Sequence, residues 1–309
     1  MPRQLCPQRL RIYIEQTELL DRLTVWQPDT ARKIIRYGSF VGSAIERLEM
    51  IARTMAHARA HIEHCERHGI SVANGTVILA DTLTACKGRF VREWHAPVGG
   101  LWGSMIYIST LLPRYRLLVP LAVGVACCEA VREQVALPAV IRWVNDVLID
   151  GYKVAGFLAE RFTGDASKEE YCLLGFGVNV NNSGFPEELR GIATSLKRQL
   201  GRSIDLEEFA CCFLAKLCWN LGLLYYHEQI ALEAGEGDEY DSEHPLVARW
   251  RELSDSIGRP VRFGFDVMEK PQYRATVAGI TNDGGLRLIL ESGAEVVEYS
   301  GEIRYETPG

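Results

Sequence analysis

Residues 140–162 read Val140-Ile141-Arg142-Trp143-Val144-Asn145-Asp146-Val147-Leu148-Ile149-Asp150-Gly151-Tyr152-Lys153-Val154-Ala155-Gly156-Phe157-Leu158-Ala159-Glu160-Arg161-Phe162, and the Asp150-Gly151 pair in their middle decides the fold class. Asp-Gly between two apolar runs is the strongest short hairpin signal, because a two-residue turn needs positive φ at its central positions. Val140–Ile149 and Lys153–Phe162 are therefore expected as antiparallel neighbours. Strands joined by hairpins rather than by helical crossovers build a mixed, largely antiparallel sheet, which argues for an α+β fold with flanking helices and against a doubly wound nucleotide fold. Thr76–Ala80 and Gly103–Thr110 read as further strands, followed by a helix over Tyr115–Val135, and Tyr171–Asn181 as another strand.

Farther out the texture changes. Residues 1–34 form a mixed, partly helical lead-in, and Ile45, Leu48, Ile51, Ala52 and Met55 recur at steps of three and four, which predicts an amphipathic helix over 43–68 stopped by Gly69. A helix capped by Asp205 runs to about His227, the acidic stretch 231–244 reads as a solvated loop, and 245–256 is one more helix. After Gly258-Arg259-Pro260 come short strands at 261–265, 272–280, 286–290 and 296–299, with turns at 282–285 and 292–293. These predict a small β barrel over 258–309, separate from the unit spanning 35–257.

The 309 residues are 47% hydrophobic and 24% charged, enough to bury a sizeable core. The apolar run Leu117–Cys128 is broken by Pro120 and Gly124, and no stretch reads as the roughly 20 apolar residues of a membrane span. Met1-Pro2-Arg3 leads into Arg9, Arg11 and Glu15 without an apolar signal region, so a cytoplasmic location is expected. With 34 Lys and Arg against 40 Asp and Glu, net −6, the chain lacks the bulk positive field of a non-specific nucleic-acid binder, and any cationic chemistry must be local. The 9 cysteines, including Cys127-Cys128 and Cys211-Cys212 within apolar helical patterns, read as reduced, buried small hydrophobes.

Four segments carry chemistry. Cys86-Lys87-Gly88-Arg89-Phe90-Val91-Arg92-Glu93-Trp94 places three cations within six residues, suited to clamping a polyphosphate or else simply a solvated basic loop. In Arg142-Trp143-Val144-Asn145-Asp146 a polar pair interrupts an apolar strand, pointing to a ligand, a metal ion, a bulge or an Asx turn. Lys153 opens the returning strand near that pair, and Gly156 lets a ligand approach the backbone; an edge-strand lysine is the plainer reading. Gly175-Phe176-Gly177-Val178-Asn179-Val180-Asn181 has two Asn on one strand face that could orient a ribose, a phosphate or Mg²⁺, although a polar outer face reads equally well.

In this order and spacing the segments resemble the biotin protein ligase family within the wider biotin/lipoate ligase superfamily. The basic loop resembles the family's Gly-Arg-Gly-Arg-x-Gly-Arg-x-Trp, and Pro97-Val98-Gly99-Gly100-Leu101-Trp102-Gly103-Ser104 its Pro-x-Gly-Gly-Leu-x-x-Ser. Arg142–Asp146 is similar to Lys-Trp-Pro-Asn-Asp, and Lys153–Glu160 to Lys-[Leu/Val]-Ala-Gly-Ile-Leu-x-Glu. Gly175–Asn181, Ala193-Thr194-Ser195-Leu196 and Ser300-Gly301-Glu302-Ile303 match three further family elements, so the resemblance runs over roughly 35–305.

The resemblance implies a class II synthetase-like biotin/lipoate ligase catalytic domain followed by an SH3-like β barrel. It implies an enzyme that uses ATP and Mg²⁺ to join biotin to AMP and then passes the biotinyl group to a lysine of a biotin carboxyl carrier domain. Catalytic roles would fall to Lys153, Arg89, Arg92 and Asp146, the acid pocket to Ser39, Thr84, Lys87, Gly88, Trp94 and Gly156, and the ATP site to Lys87, Arg89, Trp94, Asn145, Lys153 and Asn179. The pattern departs at Cys86 and Val91, where the family has Gly, and at the ureido-reading positions. For those, Ser39 is the preferred match with Ser43 second, and Thr84, or Leu83 in a slipped register, stands for the family's Gln. Lipoate, octanoate or another acid therefore stays open, as does a binding or regulatory protein that does not adenylate. The lead-in is too short for the winged-helix domain of the family's repressors, so DNA binding is not expected; a homodimer stays open.

Two features lie outside that pattern. His57, His61, His64 and His68 share one helical face beside Cys65, a candidate metal site or a plain polar face. Cys86 is similar to the thiol of the superfamily's octanoyltransferases, and its cationic neighbours are expected to lower its pKa.

Overall fold

The computed structural model describes residues 4–89, 92–144, 146–235 and 243–306. Helix α1 (Pro7–Tyr13), a π turn (Ile14–Glu18), α2 (Leu19–Leu23) and α3 (Pro28–Gly38) form the lead-in. Strand β1 (Ile45–Ile51), helix α4 (Thr54–Arg67), β2 (Val77–Leu83) and β3 (Leu101–Ile108) follow. Next come α5 (Pro113–Arg116), α6 (Val119–Val135), β4 (Val140–Arg142), β5 (Asp146–Ile149), β6 (Tyr152–Thr163) and β7 (Glu170–Val178). Helices α7 (Leu196–Leu200), α8 (Leu206–Glu233) and α9 (Pro245–Leu253) lead to β8 (Pro260–Gly264), β9 (Tyr273–Ile280), β10 (Leu286–Leu290), β11 (Glu295–Glu298) and β12 (Glu302–Tyr305).

The first seven strands form one sheet in the order β1-β2-β3-β7-β6-β5-β4, in which only the β1/β2 pair is parallel. The Asp150-Gly151 hairpin is present, with Ile149 opposite Tyr152. Two strand readings change. Val140–Ile149 is not one strand: Arg142 pairs with Asp146, so Asp146 opens β5 after a reversal from β4 rather than standing inside a continuous run. Residues 45–51 are strand, not helix, because β1 pairs with β2 from Ile45↔Val77 to Ile51↔Leu83. The helix begins only at Thr54, where Thr54, Met55, Ala58, Ile62 and Cys65 give a true buried stripe.

Asp205 caps α8 as expected, its Oδ1 accepting from the backbone N–H groups of Glu207 and Glu208 at 2.9 and 3.0 Å. The helix runs past His227 to Glu233, so residues 231–233 are helical rather than loop, and 236–242 lie outside the described residues. It is long and apolar enough to cross a membrane, a length of apolar chain that the sequence reading did not find, and 89% of its most apolar window is buried inside the protein. Helix α3 crosses it closely: a Cβ on Gly38 would lie 1.8 Å from the Cys218 carbonyl oxygen, and one on Gly222 would lie 2.1 Å from that of Ile34. The lead-in is therefore part of the main core, with Leu10, Ile14 and Ile34 buried in it. Buried Glu18 accepts from Lys216 at 3.0 Å and from Arg22 at 2.8 Å, and Arg22 also reaches Glu129 at 2.8 Å.

The expected C-terminal barrel takes the form of a five-stranded antiparallel sheet, β11-β10-β9-β8-β12. Its apolar face, including Val261, Phe263, Leu286 and Ile303, is continuous with the main core. The seam is also polar: Trp143 Nε1 donates to the Gly284 carbonyl at 3.2 Å and Arg251 to that of Ile280 at 3.1 Å.

Candidate active site

The register brings the sequence motifs to one end of the seven-stranded sheet. β1 and β2 end there, at Ile51 and Leu83, and β3 begins there at Leu101. Antiparallel pairing then puts the end of β7 (Val178) and the starts of β6 (Lys153) and β5 (Asp146) at the same end. An open cleft of about 400 Å³ occupies this end.

Its floor is made by glycines on two adjacent strands, β6 and β7, beside Trp102 of β3. Gly156 pairs with Gly177, and Gly177 with Trp102. Trp94 lies against this floor: a Cβ on Gly177 would come within 2.9 Å of its indole, and one on Gly156 within 3.1 Å. Glycine is needed here for close approach rather than for a turn. The indole Nε1 of Trp94 is buried without a hydrogen-bond partner, and Lys153 Nζ stands 5.2 Å from the ring centroid. Met55 fills the corresponding space over Gly175.

Asp146 is the electrostatic centre, accepting from Lys153 Nζ at 2.5 Å and from Arg142 Nη2 at 2.6 Å. Burial pushes its carboxyl up, but Lys153 and then Arg142 outweigh that and hold it down at about 2. The backbone locks Lys153 in place: its N–H donates to the Ile192 carbonyl at 2.8 Å, and its own carbonyl accepts from Thr194 at 3.0 Å. The Ala193–Leu196 motif thus braces Lys153 and, through Leu196 N–H to the Asn179 carbonyl at 2.9 Å, the end of β7. Buried Asn179 turns its side-chain oxygen to Asn182 Nδ2 at 3.0 Å.

The basic loop is held by its own backbone, Gly88 N–H to the Arg92 carbonyl at 2.7 Å and Trp94 N–H to that of Cys86 at 3.0 Å. Its arginines are tied to the C-terminal sheet. Arg89 donates to the Gly301 carbonyl at 2.8 Å, and Arg92 pairs with Glu302 at 2.7 Å and more loosely with Asp266 at 3.4 Å. The Ser300–Ile303 motif therefore closes one wall of the cleft, a part that its sequence alone did not reveal.

Lys87, Gly88, Arg89, Arg92, Trp94, Asp146, Lys153, Gly156 and Asn179 all line the cleft. Asn145 and Val91 lie outside the described residues. Two expected residues are elsewhere. Ser39 is exposed just after α3 and donates to the Arg36 carbonyl at 2.8 Å, while the second choice, Ser43, donates to that of Asn74 at 2.6 Å. Thr84 is exposed and away from the cleft, whereas Leu83 lines it. The strand-to-helix junction beside the cleft is instead Ala52-Arg53-Thr54-Met55, hidden in the sequence because it sat inside an apparent helical repeat; Arg53, Thr54 and Met55 line the site.

The remaining features also resolve. Burial raises the Cys86 thiol pKa, although the charge of Arg53 opposes it, so the expected lowering by nearby cations does not occur. The four imidazoles do not converge on one point: His57 meets Glu46 at 3.1 Å, His61 meets Cys65 at 3.7 Å, and the His64 and His68 rings lie tilted at 34° with centroids 4.3 Å apart. No three His, Cys, Asp or Glu side chains gather into a metal site among the described residues.

Residues 64–179 match the model of the biotin/lipoate A/B protein ligase family. The bifunctional ligase/repressor BirA of Bacillus subtilis is 34% identical over 146 residues, 45% of each chain. A biotin--[acetyl-CoA-carboxylase] ligase of Mycobacterium tuberculosis is 31% identical over 161 residues, 50% of this chain and 56% of its own. The matched region thus spans about half the length of these curated relatives. The structure of the Aquifex aeolicus biotin protein ligase in complex with biotin and ATP superposes with a TM-score of 0.65 at 24% identity, covering 85% of this chain and 99% of that one, which establishes a shared fold. The family match falls on strands and the basic loop that build the cleft, so the part of the chain that forms the site is similar to the biotin/lipoate A/B protein ligase family.

Proposed function

We propose that this chain is an ATP-dependent biotin protein ligase, forming biotinyl-5′-AMP and then transferring biotin to a lysine of a carrier domain. The observation that carries the reading is the Lys153–Asp146–Arg142 cluster set beside a glycine floor covered by Trp94, with Arg89 and Arg92 facing it from the loop. The names of the relatives support the choice of biotin.

In the first step a biotin carboxylate oxygen bonds to the α-phosphorus of ATP, and the bond from that phosphorus to the bridging oxygen breaks, releasing pyrophosphate. Negative charge builds on the phosphoryl oxygens, where fixed cations stabilise the transition state more than the ground state. Lys153, anchored through its own backbone, bridges the acyl carbonyl and phosphate oxygens. Asp146 holds the Lys153 ammonium in place and stays ionised, while Arg89, Arg92 and Lys87 take the phosphates and Trp94 packs on the adenylate. Asn145 and Asn179 are assigned to the nucleotide end of the site. In the second step the acceptor lysine's neutral amine bonds to the acyl carbon, AMP leaves, and an amide remains. Mg²⁺ would arrive on the phosphates of the nucleotide, whose oxygens suit it; Asp146 is already committed to two cations and no three-ligand cluster exists among the described residues.

Pyrophosphate release measured with biotin, lipoate and octanoate in turn tests the reading. Biotin is expected to support turnover, and Lys153→Ala to lower it at least 100-fold. Turnover with only lipoate or octanoate would reassign the acid. Absence of turnover with every acid, together with binding of a carrier domain, would favour a protein that does not adenylate.

A further inference from the structure

Acyl transfer to a lysine needs something that a cation-rich cleft does not supply, a base. At neutral pH a lysine amine is almost entirely protonated, and only its neutral form has a lone pair with which to attack. The arginines and the Lys153 ammonium are donors only. Asp146 accepts from Lys153 and Arg142 and is held down at about 2, and Glu302 is paired with Arg92 at 2.7 Å. Burial pushes the Cys86 thiol up, so it keeps its own proton at neutral pH. Glu93 is exposed and, as a carboxylate, a weaker base than an imidazole. Among the described residues that line the cleft, His95 carries the one imidazole, the side chain best matched to proton transfer near neutral pH.

The geometry selects which ring nitrogen can act. His95 directly follows Trp94, is half-buried, and places its Nε2 2.7 Å from the Gly184 carbonyl oxygen. A carbonyl only accepts, so Nε2 carries the proton and the neutral ring keeps its lone pair on Nδ1. Nδ1 has no hydrogen-bond or ionic partner among the described residues. The segment that His95 grips leaves the end of β7 at Asn179 and runs to Ile192, whose carbonyl accepts from the Lys153 N–H at 2.8 Å; Phe185 and Leu189 along it line the cleft. Trp94 completes the ring, with Lys153 Nζ 5.2 Å from its indole centroid. His95 is thus tied to the same segment that fixes Lys153, and the Gly184 carbonyl orients it as the third group of a base and its orienter does.

Resting on the adenylation reading above, we propose that His95 is the general base of the acyl-transfer step. Nδ1 takes one proton from the ammonium of the acceptor lysine, and the lone pair so freed bonds to the acyl carbon. The bond from that carbon to the phosphate oxygen breaks with its electrons on AMP. The second proton lost by the nitrogen leaves on the AMP phosphate, and the imidazolium passes its own to water. Adenylation involves no amine, so His95 has no part in the first step.

The test separates the two steps in the full chain and its His95→Ala and His95→Gln variants. The pyrophosphate burst with biotin and ATP reads the first step. Single-turnover consumption of the enzyme-bound biotinyl-AMP by a biotin carboxyl carrier domain reads the second, and hydroxylamine, an amine already neutral at pH 7, replaces the carrier in a parallel arm. Both variants should keep the burst and the hydroxylamine rate roughly unchanged and lose about 100-fold in transfer to the carrier, with added imidazole restoring part of that loss in His95→Ala. The glutamine amide can still donate to Gly184 but cannot take a proton, so a His95→Gln variant as fast as the parent overturns the proposal. Unchanged transfer in His95→Ala overturns it, as does an equal fall with carrier and hydroxylamine, or in burst and transfer alike. If the parent shows no burst, the adenylation reading fails, and synthetic biotinyl-AMP supplied in place of biotin and ATP decides. Slower acylation of the carrier by both variants than by the parent then supports the base, and equal or absent acylation overturns it.

Discussion

Asp146 holds two cations at once, so its protonation state sets the charge of the cluster it forms with Arg142 and Lys153. Its carboxyl titrates near 2 instead of 3.8, worth about 2 kcal/mol of stability. A depressed folded-state value means that this contribution is complete above the ordinary carboxylate range and is lost as pH falls through about 2. Urea melts of the parent and Asp146→Asn should therefore differ by about 2 kcal/mol at pH 7 and converge as the pH is lowered toward 2. A constant gap across that range would detach Asp146 from the pair of cations. The glycine floor gives a second prediction at this scale. In Gly177→Ala the new methyl meets the Trp94 indole at 2.9 Å, so the ring must lift. Tryptophan emission should shift, and kcat/KM for ATP should fall about tenfold, with stability changed by no more than ~1 kcal/mol. An unaltered spectrum with full activity would mean that Trp94 does not rest on this floor.

Elements formed by neighbours in sequence were legible, and those made by distant partners were not. The β5–β6 hairpin announces itself through Asp150-Gly151, and α8 through its Asp205 cap, because both signals are local. β1 could not be read: Ile45, Leu48 and Ile51 satisfy a helical step, and only pairing with β2, more than 25 residues on, makes them a strand. That one misreading also concealed Arg53–Met55 and pushed the search for polar pocket residues to Ser39, on the wrong side of β1. Trp94, Lys153, Asp146 and Asn179 were legible because their motifs are ordered along the chain; their common cleft follows from register. The α3–α8 crossing was equally hidden, since nothing marks Gly38 and Gly222 as partners until the helices meet. In Gly222→Ala the methyl would strike the Ile34 carbonyl oxygen and the Gly38 nitrogen, backbone atoms that cannot swing aside. We expect a loss of about 2 kcal/mol in thermal melts, with pyrophosphate release at low temperature largely retained because the crossing is remote from the cleft. A larger loss of activity than of stability would place the crossing in communication with the site.

Across the whole molecule, the C-terminal sheet meets the rest in two ways of very different strength. In the Arg92 pairs with Glu302 and Asp266 the arginine is 43% exposed, Asp266 46% and Glu302 18%, and pairs with so exposed a partner contribute no more than ~1 kcal/mol. The seam behind them is apolar and continuous with the main core, and Trp143, 2% exposed, inserts there with its indole N–H on Gly284. Burying one such ring is worth about 3–5 kcal/mol. If the apolar seam dominates, the sheet and the body unfold together. Differential scanning calorimetry of the parent should then show one transition with matching calorimetric and van't Hoff enthalpies, and it should stay single in about 1 M salt, where the screening length is near 3 Å. Trp143→Ala should separate the sheet as an earlier, smaller transition. Two transitions in the parent, or a split produced by salt alone, would show that the ion pairs rather than the buried seam hold the C-terminal wall against the cleft.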